Sequence, residues 1–190
     1  LARLARYAVL VIKWNRVANL TGARRAEDFA RKFIVDALAI VPHVGEGRIA
    51  DLGSGAGLPG MVLAIVRPHL HCALIEPRAR RARFLEQVRI ELGLDNVEVH
   101  CLRGEDWQPT APLDAIVCQA VGSLAFLLRT TAGLRSAQTR LFALKGQWPS
   151  TELEALGADA AACEIIPLSV PGWAARHLVR IDGARLGAGG

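Results

Sequence analysis

Long hydrophobic runs are missing from this 190-residue chain. No stretch reaches the ~18 apolar residues that a membrane span needs. The longest near the start, YAVLVI (7–12), is bounded by Arg6 and Lys13. No secretory signal is recognisable, so no membrane partner and a cytoplasmic location are expected. Cysteine is scarce. Cys72, Cys101, Cys118 and Cys163 form no CxxC pair, and no Cys/His cluster has zinc spacing, so no metal site is expected. Cys72, Cys101 and Cys118 lie in apolar runs, and all four are expected as buried, reduced thiols. Repeats, low-complexity segments and linkers are also missing. With 52% hydrophobic residues the chain is globular rather than disordered. Neither sign of charge dominates: 23 Lys plus Arg against 18 Asp plus Glu leave +5. That excess suits a polyanionic partner without requiring one.

What is present is an alternation of elements. RLARYAVLVIKWNRVANLT (3–21) carries Leu4, Ala8, Val11 and Ile12 at helical spacing. AEDFARKFIVDALAIVP (26–42) repeats the pattern with Phe29, Phe33, Ala37 and Ile40, and Pro42 ends it. Strand and helix then alternate. RIADL is a strand, PGMVLAIVRP a helix, HCALIEP a strand and ARRARFLEQVRIELG a helix stopped by Gly93. VEVHCL, LDAIVCQAV and TRLFALKG are further strands, with a helix in SLAFLLRTTAGL and another expected in TELEALGADA. CEIIPLSV and RHLVRID are spaced to pair as an antiparallel hairpin. The pattern predicts an α/β fold, a doubly wound, mostly parallel sheet. One domain is expected over 1–190: N-terminal helices in 1–45, the sheet in 46–183 and a flexible tail in 184–190.

DLGSGAGLPG (51–60) follows the first strand and puts four glycines into ten residues. In such a sheet the ligand sits at this strand–turn–helix. The dinucleotide pattern G-x-G-x-x-G fails, since Leu58 stands where the last glycine is needed. The pattern present is Asp51, Gly53, Gly55 and Gly57. A leading carboxylate repels a pyrophosphate but can hold an ammonium group, directly or through water, while the loop amides take a carboxylate. S-adenosylmethionine offers both and has no phosphate. Glu76, at the end of the second strand, is placed to accept two ribose hydroxyls; a salt bridge to a nearby arginine is its bland alternative. RGEDW (103–107) is placed to read an adenine amino group through Gly104, Glu105 or Asp106, or is simply an exposed loop.

With these residues in hand, the chain resembles the RsmG (GidB) family of guanine-N7 methyltransferases acting on bacterial 16S ribosomal RNA. KWNRVANLT, DLGSGAGLPG, RARFLEQVRIELGLDNVEV, FALKG and ARHLVRI carry the likeness, which covers nearly the whole chain. The resemblance implies a seven-stranded methyltransferase (Rossmann-like) sheet with S-adenosylmethionine at Gly53, Leu58, Gly104 and Glu105. With the neighbours in the loop and after the fourth strand, the full cofactor set is Asp51, Gly53, Ser54, Gly55, Gly57, Leu58, Glu76, Gly104, Glu105 and Gln119. The chain departs from the family at Cys118-Gln119, where Ser-Arg is usual and the arginine lies near the cofactor. It departs again at Lys32-Phe33, where Arg-His is common, and at Pro77.

Guanine N7 has a free lone pair, so no general base is required and no catalytic residue is assigned. Accordingly there is no N-P-P-Y stretch and no Pro-Cys nucleophile. Cys118 reads as a core thiol. The expected partner is 16S rRNA or the 30S subunit, bound by a monomer. Lys145, Arg176, His177 and Arg31 are the leading substrate contacts, with Lys13, Arg16, Arg24, Arg25 and Lys32 as further cations. The Arg78, Arg80, Arg81, Arg83 row reads as a solvated helix face. Trp14 reads as core, and Trp148 is the best candidate to stack on a base. A cofactor-binding RNA-binding or regulatory protein without turnover, and a small-molecule or protein methyltransferase, remain as alternatives.

Overall fold

The structure is a computed structural model that describes residues 1–120 and 122–186. Its centre is a sheet of seven strands: β1 Arg48–Leu52, β2 His71–Ile75, β3 Val97–His100, β4 Ala115–Gln119, β5 Arg140–Lys145, β6 Cys163–Pro167 and β7 His177–Asp182. Their spatial order is β3-β2-β1-β4-β5-β7-β6. The first five run parallel, and β7 lies antiparallel to both β5 and β6. The expected hairpin is therefore present, and its returning strand docks on the parallel sheet.

Successive side chains of a strand point to opposite faces, and both faces are covered here. Ile49, Val117, Phe142 and Leu144 belong to one core, which they share with the N-terminal helices. Ala50, Leu52, Ile116, Cys118, Leu141 and Ala143 belong to the other. Two-sided burial explains why these strands read as continuous apolar runs rather than alternating ones.

On the first face lie α1 (Ala2–Ala18), α4 (Gly60–Val66) and α5 (Ala79–Leu92). The α1 helix packs along α5, with Trp14 tilted against Phe84 at 6.0 Å between centroids. Trp14, expected in the core, is only partly buried there. Gly93 closes α5 in the left-handed region (φ 59°), as expected. The other face carries α6 (Leu124–Thr130) and the Trp107 side chain.

The second N-terminal helix forms with a difference. It runs as α2 (Ala26–Phe29), a π-helical turn (Ala30–Ile34) and α3 (Val35–Leu38). The π turn adds a residue to the repeat, so Ile34 rather than Phe33 is buried beyond Phe29. The helix expected in TELEALGADA is split into α7 (Ser150–Glu154) and a 3-10 stretch (Gly157–Ala162) by Gly157 at φ 57°. Cysteine burial holds for Cys72 and Cys118 only. Cys163 is half-buried, and Cys101 is exposed because it lies beyond the last residue of the edge strand β3; all four are free. Of the expected flexible tail, Ala184 and Arg185 lie in a 3-10 turn and Leu186 packs against the second core. Residues 187–190 lie outside the described residues.

Candidate functional site

The carboxyl ends of β1 to β5 and β7's first residues bring two clusters together. The first is the glycine-rich loop. Gly53, Gly55 and Gly57 all take left-handed φ values (67°, 57° and 93°), which an L side chain rarely adopts. A Cβ on Gly57 would stand 2.9 Å from Met61 Cβ and 3.0 Å from the Tyr7 hydroxyl. The loop is pinned from several directions. The Gly53 and Ser54 amides donate to the Ile75 carbonyl, at 2.9 and 3.1 Å. Tyr7, on α1, donates its hydroxyl to the Ala56 carbonyl at 2.5 Å. Ser54 donates its hydroxyl to the Asp51 carbonyl. Leu58 is partly buried at the loop's end, and the Leu58–Pro59 peptide bond is cis.

Asp51 is fully buried beneath this loop. Its Oδ2 accepts the amide of Gly60, the first residue of α4, at 3.0 Å. Its Oδ1 has no hydrogen-bond partner among the described residues. Burial pushes the carboxyl up to about 7, with the Gly60 amide and the Ser54 hydroxyl pulling the other way and the Glu76 charge adding to the rise. Glu76 is 3% exposed and accepts the amides of Gly55 and Arg78, both at 2.9 Å. No ion pair to an arginine forms there among the described residues. Each oxygen of Glu76 keeps lone-pair capacity beyond these amides. Gly104 opens a 3-10 turn with Glu105 and Asp106, both exposed. A Cβ on Gly104 would stand 3.1 Å from Thr130 Cγ2 and 3.3 Å from Leu52 Cδ2, so this turn sits against the end of β1.

These residues fit S-adenosylmethionine by their donor and acceptor chemistry. An unpartnered buried carboxylate oxygen calls for a cation, and the ammonium of the methionine moiety is one. Left-handed glycines leave open backbone for the carboxylate end. A buried carboxylate at the end of β2 suits a diol. Among the described residues no group of three His, Cys, Asp or Glu side chains could hold a metal ion.

The second cluster lies at the ends of β4, β5 and β7. The Gln119 Nε2 donates to Asp36 Oδ2 at 3.0 Å, and Arg176 Nε donates to Asp36 Oδ1 at 2.8 Å. Asp36 is 1% exposed. Burial raises its carboxyl from the usual range, although the Arg176 guanidinium lowers it. Arg176 also stacks on the Trp173 ring at 3.4 Å. Asp36, Gln119, Ala120, Leu144, Lys145, Gly146 and Arg176 enclose a cavity of about 220 Å³. Ala120 holds a left-handed φ of 56°, a strained geometry for alanine. Strain of this kind gathers at functional sites.

Gln119 thus lies in a cluster with Asp36, where its Oε1 is buried without a hydrogen-bond partner among the described residues. Lys145 and Arg176 are not free cations waiting for phosphate. Lys145 Nζ sits 2.8 Å from Glu152 Oε2 and bonds the Gly122 carbonyl, while Arg176 is committed to Asp36. His177 pairs with Lys145 across β5 and β7 and meets Trp148 edge to face at 5.5 Å. Trp148 is 57% exposed beside it. Arg31, on the π turn, is exposed without an ion-pair partner among the described residues. The sequence pattern had not singled out Tyr7 or Asp36 as site residues. The signal for Asp36 was an acid on the apolar stripe of Phe29, Phe33, Ala37 and Ile40; for Tyr7 it was a lone tyrosine in a chain that has one.

The family model for GidB, rRNA small subunit methyltransferase G, matches residues 1–179. The chain belongs to that family. A ribosomal RNA small subunit methyltransferase G from Methylobacillus flagellatus is 41% identical over 178 residues, 93% of this chain and 86% of its own length. The counterpart from Nitrosospira multiformis is 42% identical over 186 residues, covering 94% of this chain and 86% of its own. Among solved structures, the S-adenosylmethionine-dependent methyltransferase SibL superposes with a TM-score of 0.65 at 15% identity, over 95% of this chain and 69% of its own. The Bacillus subtilis tRNA methyltransferase TrmK superposes at 0.63 with 16% identity, over 79% of this chain and 66% of its own. Both structural likenesses speak to the fold. No helix among the described residues is long and apolar enough to cross a membrane.

Proposed function

We propose that this protein is an S-adenosylmethionine-dependent methyltransferase that methylates N7 of a guanine in 16S rRNA. The observation that carries the reading is the buried Asp51 with its unpartnered Oδ1, under three left-handed glycines beside Glu76, in a chain of this family. It acts as a monomer in the cytoplasm, on free rRNA or on the 30S subunit.

When bound, S-adenosylmethionine supplies a methyl group activated by its sulfonium charge. The protein's part is to hold and to orient. Asp51 would offer a charge to the ammonium, Glu76 would accept from the ribose, and the Gly104–Asp106 turn would hold the adenine. N7 carries no proton, so no side chain needs to remove one before attack. Proximity and alignment then supply most of the acceleration. Transfer makes guanine a cation, and the exposed Glu105 and Asp106 favour that product by charge. The target base must lie in a loop or leave its stack to enter. The cavity between Gln119 and Arg176, on the same sheet edge, is the acceptor side.

The test is transfer of labelled methyl from S-adenosylmethionine to 30S subunits, naked 16S rRNA or a small-molecule panel. Label in rRNA, with borohydride–aniline cleavage at a guanine, is the expected result. Tight cofactor binding with no transfer to any RNA overturns the reading in favour of a protein without turnover. Gly53→Asp places a side chain and a negative charge on the loop at φ 67°, and abolishes cofactor binding by calorimetry.

A further inference from the structure

The α1 and α5 helices leave an open groove of about 530 Å³ between them, lined by Trp14, Arg16, Val17, Ala18, Arg80 and Arg83. We propose that this groove binds a single-stranded segment of the RNA substrate, with Arg16, Arg80 and Arg83 on its phosphates. The inference rests on the rRNA reading above and adds to it a second contact surface, separate from the cavity at Arg176.

Charge is the first support. Among the described residues, no carboxylate lies within ion-pair distance of Arg16, Arg80 or Arg83, whereas the acids farther along α5 are taken. Glu86 pairs with Arg89 and Glu91 with Arg6. The α5 helix has no acid in its first turn, has Arg78 at its N-cap and carries arginines at 80, 81 and 83. Cations there oppose the positive end of the helix dipole. A local rule broken without compensation within the chain points to a partner. The partner complementary to three unpaired arginines is a polyanion.

The groove floor is the second support. Val17 is 63% exposed, and Trp14 is fixed against Phe84 rather than free to turn. A held aromatic and an open apolar side chain between cations suit an unstacked base on a phosphate chain. Position is the third. The α5 helix follows β2, so its first turn lies at the sheet edge that carries the glycine-rich loop. Arg81 joins the two: its Nη2 donates to the Asn19 carbonyl at the end of α1, and its Nη1 lies 3.8 Å from where a Gly55 Cβ would stand. A strand in the groove therefore leads to the methyl-donor loop. Arg81 is spent on the protein, which corrects the picture of a uniformly solvated row.

The experiment compares the 190-residue chain with an Arg80→Ala/Arg83→Ala variant for binding to a naked 16S rRNA transcript across a salt series. The expected result is at least a tenfold loss of affinity and a log–log salt slope shallower by about 1.4, two single-strand contacts at roughly 0.7 each. S-adenosylmethionine binding and the melting temperature stay at the wild-type values. Arg16→Ala, on the opposite wall, gives a slope change of about 0.7 and serves if the double variant does not fold. Photocrosslinking of thiouridine-substituted transcript to the wild type is expected at peptides spanning 13–18 and 79–83. Equal affinity and slope in the variants, or crosslinks confined elsewhere, overturn the groove while wild-type transfer to guanine stands. Loss on 30S subunits with naked rRNA binding intact also overturns it, in favour of a ribosomal protein contact. Loss of RNA binding in the variants of a protein that transfers no methyl to guanine overturns the N7 reading and leaves the groove in place.

Discussion

At Asp51, two demands meet on one carboxylate. Its Oδ2 holds the Gly60 amide at the start of α4, and its Oδ1 has no hydrogen-bond partner among the described residues. With its carboxyl pushed up to about 7 by burial, the free protein holds Asp51 half protonated near neutrality. The sign follows directly. An ammonium needs the ionised form, so cofactor affinity falls as pH drops through 7. Calorimetric titration with S-adenosylmethionine is expected to show about a fivefold loss between pH 7 and 6, and a further loss approaching tenfold per unit below. Asp51→Asn keeps an acceptor for Gly60 and removes the charge. It binds weakly at every pH and lacks the acid limb. A wild-type profile flat from pH 6 to 7 contradicts the ammonium role. Stability runs the other way. A carboxyl raised above its unfolded value near 3.9 favours the fold below that pH, and this contribution is lost as pH rises through 7. Cofactor binding offsets the cost of the buried charge.

Among the elements, α1 does more than cover the sheet. Its Tyr7 hydroxyl reaches the Ala56 carbonyl inside the glycine-rich loop, and its ring meets Phe29 edge to face at 5.6 Å. Tyr7→Phe keeps the ring and strands a buried carbonyl, at a cost of about 1–3 kcal/mol. For a chain of this size that lowers the melting temperature by roughly 2–12 °C. Because the lost bond belongs to the loop, cofactor affinity falls in the same variant; unchanged affinity shows that α1 does not hold the loop in shape. None of this coupling was visible in the chain's local pattern. The strands were legible because two-sided burial writes each as a short apolar run between turns. The loop was legible because three positions need left-handed backbone and glycine supplies it. What escaped is of two kinds, local backbone departures that leave no mark in periodicity and contacts with neighbours distant in sequence. The π turn moves burial from Phe33 to Ile34, and helical periodicity has no sign for one added residue. Gly157 splits the late helix by its own φ. Gln119, expected near the cofactor, also donates to Asp36 on the N-terminal helix, a contact 83 positions away.

Across the whole molecule, the Asp36–Arg176 pair joins the N-terminal helices to the C-terminal hairpin over 140 positions of sequence. Their side chains are 1% and 14% exposed, so neither is solvated in place of the other. Breaking a buried pair by removing one member typically costs about 3–5 kcal/mol, since an uncompensated charge stays inside. Arg176→Met is the informative change. It retains apolar bulk beside Trp173, removes the cation, and leaves Asp36 with the Gln119 amide alone. The remaining carboxyl escapes part of the cost by binding a proton. Burial already raises it despite Arg176, and loss of the cation raises it further. The penalty is therefore small at pH 5 and grows toward pH 8, as the folded state is asked to hold the ionised form. Urea unfolding of the wild type and Arg176→Met at the two pH values measures it, and a destabilisation independent of pH contradicts the charge argument. Adding Asp36→Asn to Arg176→Met removes the stranded charge, so the double variant is more stable than Arg176→Met alone at pH 8 and similar to it at pH 5. The same cycle tests whether the bridge holds the acceptor cavity open. If it does, Arg176→Met loses methyl transfer to rRNA while S-adenosylmethionine binding, which rests on the other cluster, stays within twofold of the wild type.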